Sequence, residues 1–320
     1  SIKLKIQRAV TIALISSGII PAIQAEVTDQ NVNNPSGTTI TNGSTSYAVD
    51  LDSGGPYTVI NAGTISTVKA TSTISAIEID EVAVTTLTNT GTMSAETVRS
   101  GAFGIHSYTY NDTTSITTLT NSGTISGEAG TDGYGIYLYT GHPGSGNSTI
   151  TNLTNKGTIS GSTYDIWNKD EDIINFNNQQ GKAGNDVLTY NGKLPTNYNI
   201  IVASTSDYGQ ASFTDEEGTT NFGVSSSSTF SGSGTYASVI NGLAAGSIGA
   251  TRSGTVGGYG WSLVLQTGQT DIWDLVITSS RIGYTSRITI NSLSKIAAIL
   301  EVINTAGSNS TLTSALDGLS

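Results

Sequence analysis

Histidine and serine chemistry has few candidates in this chain of 320 residues. The sequence holds two histidines, His106 and His142, and histidine is the side chain that serves most often as a base near neutral pH. A serine protease also needs its nucleophile in a tight Gly-x-Ser-x-Gly turn. Ser233 lies between two glycines without that spacing and has no histidine nearby in sequence. We therefore predict no proteolysis and two solvent-facing histidines, with His142 in the loop at 141–146.

Carboxylates gather in two places, and each could supply acid–base chemistry. One cluster is Asp165, Asp170, Glu171 and Asp172, and the other is Asp215, Glu216 and Glu217. Enzymes that cleave polysaccharides need two acids that converge on one groove. The second cluster is a contiguous run, predicted to be a loop. The first could line a groove with Trp167, although a solvated turn is the preferred interpretation.

One segment resembles a metal motif. Residues 181–188, with Asp186 as the candidate ligand, approach the calcium-binding nonapeptide, in which successive turns share an ion. That arrangement needs consecutive copies, whereas the sequence has one, and Lys182 stands where the pattern has glycine. We predict a structural turn here, with no metal and no cofactor.

Five tyrosines are the candidates for ligand contact: Tyr108, Tyr110, Tyr134, Tyr137 and Tyr139. Exposed tyrosine offers a large contact area with a polar tip, which suits a glycan or protein surface. Tyrosine also lines the outside of β-sheets without a binding role, and both interpretations stay open.

A repeated sequence motif, called the phrase below, predicts the fold that positions these residues. Four copies begin at Val59, Leu87, Leu119 and Leu153, at spacings of 28, 32 and 34 residues, and read close to Leu-Thr-Asn-x-Gly-Thr-Ile-Ser. A repeat of this length is a unit that must stack on its neighbours to bury its apolar side chains. The sequence therefore predicts a solenoid.

Each repeat is predicted to hold three short strands, as at 104–107, 116–120 and 123–126. Inward positions include five pairs at i, i+2: Val49/Leu51, Ile77/Ile79, Ile105/Ser107, Ile136/Leu138 and Ile166/Asn168. The phrases supply two more interior columns, one from Val59 to Leu153 and one of Ile65, Met93, Ile125 and Ile159. Five or six such rungs would make a rod on the order of 25–30 Å long.

The Asn and Gly positions of the phrase predict the structure of one corner of each repeat. Asn61, Asn89, Asn121 and Asn155 are expected to form a structural ladder of amides along the axis. The glycine two positions later suits a tight turn that tolerates positive φ. Frequent Thr, Ser, Ile and Gly disfavour helices between 40 and 160.

The two ends of the chain differ from the repeats. Residues 1–25 have the basic, apolar and small-residue regions of a cleavable signal peptide. Without them, 10 basic residues face 24 acidic ones, a net charge of −14, which makes nucleic acid a poor partner. The absence of cysteine means that no disulfide holds the exported fold. The domains are predicted as signal peptide 1–25, repeat domain 26–190, irregular β cap 191–280 and helical segment 281–320.

The ordered features together resemble a known family. The signal peptide, the Asn-x-Gly-Thr-Ile-Ser repeats, the cap segments with Trp261 and Trp273, and a closing helix near Leu316 resemble the passenger of autotransporters. The resemblance implies a right-handed parallel β-helix with structural Trp261 and Trp273, short C-terminal α-helices and export to the surface of a Gram-negative-type bacterium. The resemblance also implies an outer-membrane translocator barrel. Since no barrel pattern occurs after residue 277, this barrel is expected downstream of this sequence.

Three functions remain as hypotheses. The first is a non-enzymatic adhesin, at the cell surface or secreted, that presents its rod to a glycan or protein of a host or neighbouring cell. The second is a polysaccharide hydrolase or lyase on the same scaffold. The third is a purely structural stalk.

Overall fold

The computed structural model describes residues 23–24, 26–42, 46–70, 72–141, 148–181 and 186–279. These residues form 28 strands and no helix. In chain order the strands are β1 (Ile23–Gln24), β2 (Val27–Thr28), β3 (Val32–Asn34), β4 (Thr39–Thr41), β5 (Tyr47–Leu51), β6 (Tyr57–Asn61), β7 (Thr64–Val68), β8 (Ile74–Asp80), β9 (Ala83–Asn89), β10 (Thr92–Glu96), β11 (Ala102–Thr109), β12 (Ser115–Asn121), β13 (Thr124–Glu128), β14 (Gly133–Thr140), β15 (Thr149–Asn155), β16 (Thr158–Gly161), β17 (Tyr164–Asn168), β18 (Asp172–Asn178), β19 (Leu188–Lys193), β20 (Asn197–Ile200), β21 (Val202–Ser204), β22 (Asp207–Tyr208), β23 (Ala211–Glu217), β24 (Asn221–Val224), β25 (Gly234–Asn241), β26 (Ser253–Val256), β27 (Tyr259–Leu265) and β28 (Trp273–Ser279).

The strands assemble into three long sheets. Sheet A has six parallel strands, in the order β1-β4-β7-β10-β13-β16, and sheet C has eight, in the order β24-β20-β18-β15-β12-β9-β6-β3. Sheet B has twelve strands and begins β2-β5-β8-β11-β14-β17. The chain visits B, C and A in turn, as in β11, β12 and β13, before it returns to B. The all-β fold is therefore solenoid-like, and the three predicted strands per repeat are confirmed.

The interior columns match the predicted ones. Leu87, Leu119 and Leu153 are neighbours on successive strands of sheet C and are 0% exposed. In sheet A, Met93 pairs with Ile65 on one side and with Ile125 on the other. Ile105 and Ser107 pair with the corresponding inward residues of β8 and β14. Apolar burial of this kind is worth roughly 25 cal/mol per Å².

The predicted amide ladder is present and longer than expected. Each amide nitrogen donates to the side-chain oxygen of the next asparagine, with Asn89 to Asn121 and Asn121 to Asn155 both at 2.9 Å. The ladder continues to Asn34 at one end and Asn178 at the other. Asn121 Nδ2 also donates to the carbonyl of Thr158 at 3.1 Å, so the amides join the corner of one rung to the next.

The corner glycines correct one prediction. Gly63, Gly91, Gly123 and Gly157 do not have positive φ. A Cβ on Gly123 would instead lie 2.0 Å from the carbonyl oxygen of Gly91, and one on Gly157 would lie 2.1 Å from that of Gly123. Glycine is required here because the corners stack in close contact, and the turn itself does not demand a left-handed residue.

The stack extends past the last phrase. The eight parallel strands of sheet C run to β24, about 34 Å at 4.8 Å per interval, so the prediction of five or six rungs was too low. Sheet A stops earlier, at β16. There the side chain of Gln180 takes the place of another strand: its Oε1 accepts from Ile159 N at 2.7 Å, and its Nε2 donates to Ile159 O at 2.9 Å. This pair satisfies part of the free edge.

Beyond β25 the pairing changes. Parallel pairing in sheet B runs through β17, β19, β23 and β25, and an antiparallel β25-β28-β27-β26 meander follows. Trp261 and Trp273 are 7% and 2% exposed within it. The predicted boundary between the repeat domain and the cap, at residue 190, falls inside β19 and stays a prediction. The right-handed sense of the coil also stays a prediction.

The two terminal predictions lie largely outside the described residues. Of the predicted signal peptide, only Ile23–Gln24 is described, where it pairs with Thr39 and Ile40 of β4. The predicted C-terminal helices, 281–320, lie outside entirely. Across the described ranges, no helix is long and apolar enough to cross a membrane.

Candidate functional site: the outer face of sheet B

The outer face of sheet B carries a cluster of aromatic side chains on neighbouring strands. Strand alternation turns Ile105 and Ser107 inward and thus His106 and Tyr108 outward, and parallel stacking repeats this on β8, β14 and β17. Three outer columns result. They are Ser75-Phe103-Tyr134-Tyr164, Glu78-His106-Tyr137-Trp167 and Asp80-Tyr108-Tyr139.

The rings of the central column overlap one another. Tyr137 stacks on His106 with ring centroids 4.9 Å apart and planes at 4°, and on Trp167 at 4.9 Å and 20°. Overlapping rings at this separation are mutually stabilising, by about 0.5–1.5 kcal/mol per pair beyond area burial. The faces of Tyr137 are therefore largely used within the protein, so a ligand meets ring edges and polar tips.

The five predicted contact tyrosines are not equivalent. All but Tyr110 lie on β11 or β14 rather than in loops. Tyr108, Tyr137 and Tyr139 are half-buried and Tyr110 is 46% exposed, whereas Tyr134 is 3% exposed and donates to Asp132 Oδ1 at 3.3 Å. Tyr134 thus offers little surface to a ligand. Burial raises the pKa of Tyr137, which keeps its hydroxyl a hydrogen-bond donor at neutral pH.

His106 departs from the solvated histidine that the sequence predicts. Its Nδ1 lies 2.8 Å from Glu78 Oε2, and the two side chains are 13% and 8% exposed. Ser75 Oγ also donates to Glu78 Oε2 at 2.9 Å. His106 Nε2 is buried without a hydrogen-bond partner in the described part of the chain. His142 lies outside the described residues.

On the outer face of sheet B, carboxylates lie on β5 and β8, the strands that come before the aromatic side chains of β11. Asp50 pairs in register with Glu78, and Asp80 pairs in register with Tyr108. Burial, with Asp52 and Glu78 nearby, raises the pKa of Asp50 to about 7. Burial, with Glu81 and Glu78 nearby, likewise raises the pKa of Asp80 to about 6. The N-terminal part of this face is therefore an environment that disfavours further negative charge.

These acids were missed by the sequence analysis, although a signal was available. Glu78 lies between the inward pair Ile77 and Ile79, so alternation alone turns it outward. Phe103 and Tyr164 were missed because they follow a glycine- or turn-rich corner, where alternation is interrupted. Their register with Tyr134 is set by stacking between rungs.

Two of the four acids in the first cluster, Asp165 and Glu171, are buried and do not lie in a solvated turn. Glu171 is 0% exposed, and Ser107 Oγ donates to its Oε2 at 3.2 Å. Burial raises the pKa of Glu171 to about 8, and the hydroxyls of Ser148 and Ser107 only partly offset this. Asp165 is 8% exposed, accepts from Thr189 N at 2.8 Å, and has its pKa raised by burial to about 6. Neither acid lines an open groove with Trp167.

The remaining candidate residues from the sequence analysis are the second acid cluster, Asp186 and Ser233. Asp215, Glu216 and Glu217 end strand β23 and do not form a loop. Asp186 is exposed, and residues 182–185 of the calcium-like segment lie outside the described ranges. Within those ranges, no group of three or more His, Cys, Asp or Glu side chains could hold a metal ion. Ser233 lies directly before β25.

At the far end of the face, a lysine contacts a ring. Lys169 Nζ lies 4.1 Å from the centroid of the Tyr139 ring, a cation–π contact worth about 0.5–1 kcal/mol at an exposed site. The face thus runs from carboxylates through stacked rings to this ammonium group.

Comparison with known proteins adds no assignment. No protein-family model matches the chain, and no curated protein sequence matches it.

Proposed function

We propose that the chain is a non-enzymatic exported protein, an autotransporter-type passenger built as a right-handed parallel β-helix, which binds a glycan of a host or neighbouring cell. The observation that carries the proposal is the patch of half-buried tyrosine and tryptophan side chains on β11, β14 and β17. Amphipathic rings on a rigid sheet lose little conformational entropy on binding, so weak contacts on successive rungs add together. Export, cell-surface location and a translocator barrel are parts of this proposal.

A binding experiment with a matched control tests the proposal. Tyr108→Ala with Tyr139→Ala removes two neighbouring half-buried rings from sheet B. Thr88→Ala with Thr120→Ala removes two neighbouring residues from the outer face of sheet C. On a glycan array, the tyrosine variant should lose binding and the threonine variant should keep it. Circular dichroism checks that both variants fold. Equal binding by both variants, or no glycan bound by the wild type, would reject the proposal.

A second candidate is a polysaccharide hydrolase, favoured by Asp50 and Glu78 on adjacent strands. Glycoside hydrolysis uses one protonated and one ionised carboxyl group, and the raised pKa of Asp50 fits the first role. Against it, Glu78 is 6% exposed and already paired with His106, which leaves it little contact with a substrate. Release of reducing ends from a polysaccharide, lost in Asp50→Asn, would establish the enzyme and overturn the non-enzymatic proposal.

A further inference from the structure

Two tyrosine side chains on neighbouring strands of sheet B are in contact with each other. Tyr108 on β11 and Tyr139 on β14 are register partners, and their ring centroids are 5.7 Å apart with planes at 42°. Both side chains are half-buried, so each ring is partly in contact with solvent. Lys169 follows β17, and its Nζ lies 4.1 Å from the centroid of the Tyr139 ring. Because β14 lies between β11 and β17, Tyr139 is held between Lys169 on one side and Tyr108 on the other.

A glycine leaves room for the Tyr108 ring over the end of β14. A Cβ on Gly141, the residue directly after β14, would lie 2.9 Å from both Cε2 and Cζ of Tyr108, which is closer than a Cβ can pack. Gly141 does not have positive φ, so the backbone conformation does not require glycine here. The space for the ring does, and a larger residue would push Tyr108 out of its position beside Tyr139.

The other tyrosine pairs in ring contact, among the residues that the structure describes, each include a ring that is buried or stacked on both faces. Tyr134, Tyr208 and Tyr236 are between 2% and 4% exposed. Tyr137, the neighbour of Tyr139 on β14, has another ring stacked on each of its two faces. In the pair of Tyr108 and Tyr139 alone, neither ring is enclosed in this way.

We propose that Tyr108 and Tyr139 join in an intramolecular dityrosine crosslink when the protein meets hydrogen peroxide and a haem peroxidase. Each phenol loses one electron and one proton, and the two resulting radicals form a bond between ring carbons next to their hydroxyl groups. The hydrogens on those two carbons then move to the oxygens and restore both phenols. Hydrogen peroxide takes up the two electrons and two protons and becomes two water molecules. The inference goes beyond the proposed glycan binding and does not depend on it.

The parallel sheet supplies the proximity that this coupling needs. Strands about 4.8 Å apart hold the two rings as neighbours before oxidation, so the coupling is effectively unimolecular and outruns coupling between molecules. The chain has no cysteine, so no disulfide joins one rung to the next. A bond between β11 and β14 closes the segment that contains β12 and β13, and such a closure lowers the conformational entropy of the unfolded chain. The crosslinked rod should therefore unfold at a higher urea concentration than the untreated one.

The test oxidises the dilute protein with hydrogen peroxide and a haem peroxidase, then isolates the monomer by gel filtration and measures its dityrosine fluorescence. A protease that cleaves after glutamate separates the two tyrosines, because Glu128 lies between them in sequence. Mass spectrometry should find these two peptides joined and two hydrogens lighter than their sum. Tyr108→Phe and Tyr139→Phe keep the ring but lack the phenol, so each should abolish both signals. The matched control is Tyr164→Phe, which removes a half-buried phenol from the same face and should keep both signals.

Two results would overturn the proposal. One is an oxidised monomer without dityrosine, and the other is a pair of joined peptides that persists in Tyr108→Phe or in Tyr139→Phe. The exposed Tyr110 lies on the same peptide as Tyr108, so Tyr110→Phe is also needed: a signal lost in that variant and kept in Tyr108→Phe would assign the bond to another pair. Circular dichroism checks that the unoxidised variants fold. If one of them unfolds, fragmentation of the joined wild-type peptides still shows whether Tyr108 and Tyr139 carry the bond.

Discussion

Replacing Glu171 with glutamine should make the stability of the rod much less dependent on pH. Glu171 is 0% exposed, and burial raises its pKa to about 8, whereas an ordinary glutamate has a pKa near 4.5. The folded chain therefore keeps a proton that the unfolded chain releases. Its contribution to stability is full below about pH 4.5, declines as the pH rises, and levels off above about pH 8. At about 1.4 kcal/mol per pH unit, the total loss from this residue is about 5 kcal/mol.

Urea unfolding at about pH 5, 7 and 9, followed by tryptophan fluorescence, measures this loss. Other acids in the rod also have raised pKa values, so the informative quantity is the difference in unfolding free energy between wild type and Glu171→Gln. Glutamine keeps the shape and can still bond Ser107, so the two proteins should be similar at about pH 5. At about pH 9 the variant should be more stable by up to about 5 kcal/mol. Glu96→Gln, at an exposed position, is the control.

Parallel pH profiles for wild type and Glu171→Gln would refute the reasoning. They would mean that Glu171 is charged in the folded state at neutral pH, or that the rod opens at this corner without unfolding. An equal change in Glu96→Gln would show that net charge, and not burial, sets the pH dependence.

Three further predictions concern the stacked columns and can be checked by the same urea titration. Leu119→Ala empties a fully buried position and should cost about 2–5 kcal/mol, whereas Thr120→Ala on the outer face should cost under about 0.5 kcal/mol; equal costs would reverse the inward assignment. Gly123→Ala places a Cβ 2.0 Å from a backbone carbonyl and should cost more than about 4 kcal/mol, while Gly232→Ala, with no atom within 4 Å of its Cβ, should be nearly neutral. Asn121→Ala removes one hydrogen-bond partner from Asn89 and one from Asn155 and should cost about 2–6 kcal/mol, and a loss under about 1 kcal/mol would show that the ladder adds little.

The sequence by itself determined the periodic part of this protein. Alternation within a strand is local, so Ile77/Ile79 and Ile136/Leu138 could be placed inside without knowledge of any neighbour. Asn and Gly recur at fixed offsets within the phrase, and this likewise sufficed to predict the amide ladder and a tight corner that contains glycine. Both follow from a repeat that places equivalent residues above one another.

Only the tertiary structure decided how far the stack continues. The column of Leu153 runs on through Phe176, Tyr198 and Phe222, although the phrase has ended. Larger rings fill the interior where sheet A is absent, with Phe176 and Tyr198 at a centroid distance of 5.4 Å. Apolar volume can be supplied by many side chains, so the sequence need not repeat for the pairing to continue.

The candidate site was also decided by stacking between rungs. Glu78 and His106 are 28 residues apart and meet because parallel strands lie about 4.8 Å from each other. Glu171 is buried because its corner turns it toward Ser107, 64 residues away, and nothing in the local acidic run distinguishes it from its half-buried neighbours. Contacts between rungs depend on loop lengths and register, which differ from repeat to repeat. A local pattern therefore predicts which face a residue occupies, and the stacked fold alone determines its neighbours and its charge.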